Sequence, residues 1–155
     1  MGLPTAQAAH HHRHHSASAV SDPTRMALTA STALVIDQTT QQVVYSKNPD
    51  PVHPIASITK LMTAVVVLES GQDLQEQLTV TQEDVDTLRF SHSHLRVGAK
   101  ASRLDFLRMA LIASENRAAS ALGRSYPGGI QAFVARMNEE AAKLGMKNTH
   151  FEDSS

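Results

Sequence analysis

The stretch PIASITKLMTAVVVLES, residues 54–70, decides how this chain is read. Ile55, Ile58, Leu61, Met62, Val65 and Val66 recur so densely that almost no polar face remains, the pattern of a helix enclosed by other elements. Ser57 and Lys60 stand out in it, three residues apart. An ammonium buried without a partner tends to give up its proton, and a neutral amine beside a hydroxyl is a proton acceptor beside a latent nucleophile. The competing reading is that Lys60 carries its head to water along a packed stem while Ser57 merely occupies the first turn after Pro54. Counting does not separate them, because a chain of this composition contains about 0.5 S-x-x-K matches by chance.

Composition narrows the field. The chain has 155 residues, 41% of them hydrophobic, enough for one domain with a core. A net charge of −1 without a basic run, and 4% aromatic residues, leave no case for nucleic acid. No apolar stretch approaches the roughly 20 residues that span a bilayer, so no transmembrane span is expected here. The absence of cysteine excludes disulfides and thiolate metal sites.

Residues 1–29 have no sustained period and read as a disordered leader. Ala6-Gln7-Ala8 has the small-x-small form of a signal-peptidase site, which reads as the remnant of an export signal and hence as a periplasmic or otherwise exported protein. Plain low-complexity sequence is the alternative. The histidines at 10–12, 14 and 15 are interrupted by Arg13 in an Ala/Ser-rich setting, which favours a solvated tail or expression artefact over a metal site.

Beyond the leader, Ala33-Leu34-Val35-Ile36 and Val43-Val44-Tyr45 are β-rich runs around a polar connection and predict a hairpin. Asn48-Pro49-Asp50-Pro51 forces a turn before the serine helix, whose C′ residue is Gly71. A short strand is expected over Leu78 to Val80, then a helical turn capped by Thr81 with Asp84 three residues on. Residues 89–100 read as a polar loop, and Ser102 as the cap of a helix reaching about Ala113. A break at ASENRAAS and a last helix ending at Gly145 complete the block.

Ser114-Glu115-Asn116 sits in that break, a second hydroxyl with an amide two residues along. Ser and Asn are ordinary choices for a corner between helices, where they satisfy free backbone groups; they can equally present a donor and an acceptor to a cleft. Ser46-Lys47-Asn48 matches the same pattern, so order and surroundings carry the distinction.

The hairpin, PIASITKLMTA, LIASENRAASALG and FVARMNEEAAKLGMKNTHFEDSS, in that order, resemble the low-molecular-mass penicillin-binding proteins, in particular the D-alanyl-D-alanine endopeptidase and carboxypeptidase branch. The resemblance runs from about Ser31 to Ser155. It implies an α/β chain of the α+β type with a β-lactamase/transpeptidase-like fold, of which residues 30–155 form the N-terminal part. It also implies that Ser57 is the acylated nucleophile, Lys60 the proton-abstracting lysine, Ser114 a proton relay and Asn116 the holder of the substrate amide, with Glu115 in the variable middle position. The implied substrate is a D-Ala-containing peptidoglycan peptide, β-lactams are the implied inhibitors, and no cofactor is called for.

None of the five lysines begins the family's third motif, K-T-G. The chain is therefore expected to stop short of that strand, and these residues alone are expected to be inactive. A β-lactamase relative and a non-catalytic wall-binding remnant remain as alternatives; no glutamate here begins the E-x-x-L-N of the class A enzymes.

Overall fold

The computed structural model describes residues 28–87 and 93–155. The leader, apart from its last two residues, and part of the expected polar loop lie outside the described residues. The chain divides into two compact units at Pro51 and Val52.

In the first unit, β1 (Ala33–Ile36) and β2 (Val43–Lys47) form the expected antiparallel hairpin, with Ala33 opposite Lys47 and an irregularity between Val35 and Ile36. Its connection is built by Asp37, whose Oδ1 accepts the N–H groups of Thr39 and Thr40 at 2.9 and 2.7 Å. Those bonds, Thr40's first, hold the Asp37 carboxyl below the usual carboxylate range. Leu34, Val35, Val43 and Val44 are each about half exposed.

The second unit is arranged around α1 (Thr59–Glu69), which packs against α2 (Arg103–Ile112), α3 (Asn116–Arg124) and α4 (Gly129–Lys143). Val66, Val67, Phe106, Leu122, Phe133 and Met137 are buried at the shared centre, and the Tyr126 and Phe133 rings meet edge to face at 5.3 Å. The enclosure expected of α1 is only partial. Met62, Thr63, Val66 and Val67 are covered, whereas Ile58, Leu61 and Leu68 remain about 60% exposed, because α2 to α4 pack against one side alone.

Two short strands, β3 (Gln77–Thr79) and β4 (Lys100–Ser102), pair antiparallel beside the helices. β4 replaces the end of the expected loop; its Lys-Ala-Ser sequence has no strand preference of its own, and its pairing with β3 defines it. Ser102 caps α2 as expected, accepting the Asp105 N–H at 3.1 Å. Arg103, buried next to that cap, pairs with Glu76 at 2.8 Å.

Asp84 ties the turn after β3 to α3. Its buried carboxylate accepts the Thr81 N–H at 2.7 Å and a two-pronged bond from Arg124 at 3.0 and 2.9 Å. The pairing raises the Arg124 pKa further above its ordinary value.

The last residues, 151–155, run back between the helices. Asn138 clamps Phe151 with two bonds, its amide donating to the Phe151 carbonyl at 2.9 Å and its oxygen accepting the Phe151 N–H at 2.8 Å. Thr63 Oγ1 donates to the Ser154 carbonyl at 2.7 Å, and Ser154 Oγ to the Ala119 carbonyl at 3.0 Å, both buried. Gly123 permits this approach: a Cβ there would lie 2.7 Å from Ile130 Cδ1 and 2.8 Å from Ser154 Oγ.

Candidate active site

Ser57 does not lie within α1 itself. It occupies a 3₁₀ turn, Ala56–Ile58, that leads into the helix, and Lys60 is the second residue of α1. Preceding Ser57, Ala56 has φ +46°, a left-handed conformation that L-residues rarely adopt. The turn leaves Ser57 exposed and Lys60 only 2% exposed, so the lysine does not snorkel. Lys60 Nζ reaches Ser57 Oγ at 3.3 Å.

Ser114 arrives from the end of α2. α2 ends at Ile112, and Ser114 follows its cap with φ +53°, at a position where glycine is usual because a Cβ is penalised. That geometry turns the chain sharply enough for the Glu115 N–H to return to the Met109 carbonyl at 3.2 Å. It also aims Ser114 Oγ at Ser57 Oγ, to which it donates at 2.7 Å across 57 residues of sequence. Asn116 is the first residue of α3 rather than part of a free corner, and its half-buried side chain lines the same cleft.

The cleft has a volume of about 460 Å³. Ala56, Ser57 and Lys60 form one wall, Asn116 contributes from α3, and His150 to Asp153 with Ser155 supply the rest. The sequence carries this last segment within the family resemblance but gives it no site role; its NTHF turn signals a change of direction and not what it approaches.

Ser57, Lys60 and Ser114 are thus linked by hydrogen bonds, and Asn116 lines the same cleft as Ser57 and Lys60. Ser57 Oγ stands between a second hydroxyl and a buried amine, at the N-terminal end of α1, where the helix dipole favours negative charge. An exposed oxygen so placed can shed its proton along one contact while attacking a carbon in the cleft. Among the described residues, no group of three or more His, Asp or Glu side chains is placed to hold a metal ion.

A family model described as D-alanyl-D-alanine carboxypeptidase matches residues 16–155. A D-alanyl-D-alanine endopeptidase of Pseudomonas aeruginosa is 52% identical over 129 residues, covering 83% of this chain and 42% of that protein; the chain thus spans well under half the length of this relative. Among solved structures, a D-alanyl-D-alanine carboxypeptidase from Francisella tularensis superposes with a TM-score of 0.72 at 29% identity, over 86% of this chain and 33% of its own. A penicillin-binding protein from Listeria monocytogenes in its ampicillin-bound form gives a TM-score of 0.69 at 34% identity, over 83% and 52%. The two small sheets and four α-helices among the described residues accordingly belong to the penicillin-binding, transpeptidase-like α/β fold.

Proposed function

Since this chain belongs to the D-alanyl-D-alanine carboxypeptidase family of serine peptidases, we propose that it contributes the nucleophile side of a D-Ala-D-Ala peptidase site, endopeptidase or carboxypeptidase, acting on peptidoglycan peptides outside the cytoplasm. Residues 30–155 are assigned by this reading to one peptidase domain. The observation that carries it is the convergence on Ser57 Oγ of Ser114 at 2.7 Å and Lys60 at 3.3 Å.

In this reading Ser57 Oγ attacks the carbonyl carbon of the scissile peptide bond while its proton passes to the neutral Lys60 amine. The carbonyl oxygen takes up the negative charge near the α1 N-terminus. Ser114 relays the proton to the leaving amine, the C–N bond breaks, and an acyl-serine ester is left. Water then hydrolyses the ester, returning the proton to Ser57. Asn116 orients the peptide by bonding its backbone amide, work that matters because misplacement by about 1 Å can cost a hundredfold in rate. A β-lactam carbonyl meets the same oxygen and forms the same ester.

Labelling with a fluorescent penicillin tests the assignment, in a full-length protein that carries these residues together with the family's K-T-G strand. One site should be labelled, Ser57→Ala should abolish labelling, and Ser46→Ala should leave it, since only Ser57 has a lysine one turn along. Persistent labelling of the Ser57→Ala protein would refute the proposal.

A further inference from the structure

Glu115 separates the two proposed functional residues Ser114 and Asn116, and it is buried, with 7% exposure. A carboxylate in that setting is costly unless its oxygens are bonded. One accepts the Arg117 N–H at 3.3 Å within α3, and the other accepts the His94 N–H at 3.1 Å from a segment 21 residues away. Arg117 returns a bond to the same segment, its Nη1 donating to the Leu95 carbonyl at 2.6 Å. Glu115 is also fixed through its backbone, by the bond to Met109 and by accepting the Ala119 N–H at 3.2 Å. Ser114, immediately before it, is held at an unfavourable positive φ, and a strained residue persists only where its surroundings over-determine it.

We propose that Glu115 is a positioning residue for acylation: by accepting the His94 N–H on one carboxylate oxygen and the Arg117 N–H on the other, it ties residue 94 to the start of α3 and holds Ser114 Oγ in contact with Ser57. Contact with substrate is not required of it. The inference rests on the acyl-transfer reading and assigns a role to the position expected to be variable.

The chemistry of the clasp selects the variant. Gln has the volume of Glu but only one accepting oxygen, so one of the two N–H groups would face an amide NH₂. Glu115→Gln should therefore slow penicillin acylation about tenfold to a hundredfold, although a side chain that merely fills space would tolerate the change. Arg117→Met, which removes the bond to Leu95 and spares the carboxylate, should give a smaller loss of the same kind. In a Ser114→Ala background the Glu115→Gln loss should vanish, because the residue acts through that hydroxyl; additive losses would indicate an independent structural effect. Rates are read by stopped labelling of the same full-length protein, K-T-G strand included, alongside thermal unfolding. Acylation of Glu115→Gln at the parent rate, or additive losses, overturns the inference and leaves the nucleophile assignment standing. A parent protein that is not labelled at Ser57 overturns both.

Discussion

Replacing Ser114 by glycine should leave the protein more stable than replacing it by alanine, while both variants acylate more slowly, and the difference follows from a single backbone angle. At φ +53° a Cβ costs about 1–2 kcal/mol, and glycine escapes that cost. Glycine also loses more freedom on folding, about 0.5–1 kcal/mol relative to alanine. Ser114→Gly should thus exceed Ser114→Ala in stability by roughly 0.5–1 kcal/mol, or a Tm difference of about 1–4 °C at this size. The alanine variant is the right reference, since both lack the hydroxyl that contacts Ser57 and both should lose acylation together. Ala135→Gly, at an exposed position inside α4, is the opposite control and should lower stability by about 1 kcal/mol. Urea unfolding followed by circular dichroism reads all three. If Ser114→Gly is no more stable than Ser114→Ala, the left-handed turn is not strained and the reasoning fails.

Other expectations are equally direct. Lys60→Arg should acylate far more slowly than the parent despite keeping the charge, since a guanidinium stays protonated and cannot accept the Ser57 proton; penicillin labelling at the parent rate would remove Lys60 from the base role. Asp84→Ala leaves Arg124 without its carboxylate and should cost about 3 kcal/mol, the low end for a broken buried pair because Arg124 is 27% exposed; a loss below about 1 kcal/mol in denaturant melts would contradict this. Ser102's hydrogen bond, with help from Arg108, lowers the Asp105 pKa on folding. The charged form therefore stabilises the folded state above the ordinary carboxylate range, and that contribution fades as pH falls through the lower folded value. Asp105→Asn should flatten the acid limb of a stability–pH curve, and an unchanged limb would count against the cap.

The sequence made the nucleophile side of the site legible because its residues are close in the chain. Ser57 and Lys60 are one turn apart, so helical periodicity alone places them together. Ser114 is 57 residues away, and its contact with Ser57 was reachable only through the family resemblance. Capping signals held at Ser102 and in the pairing of Thr81 with Asp84, because both are satisfied within a few residues. The features that escaped depend on distant partners. β4 is a strand only because β3 lies beside it, Glu115 carries its meaning in a bond to His94, and the cleft wall at residues 151–155 is set by Asn138 and Thr63.

The bond from Thr63 to Ser154 also sets a schedule. Its two ends are 91 residues apart, so during synthesis α1 leaves the ribosome well before its partner exists. At about 5–20 residues per second, the interval is roughly 5–20 s. Through that time the Thr63 hydroxyl stays open to water, joined by the close-approach face of Gly123 once that residue has emerged, and the wall beside Ser57 forms only when residues 151–155 arrive. A nascent chain arrested before Ser154 emerges should therefore carry all four proposed functional residues and still lack the wall that residues 151–155 supply.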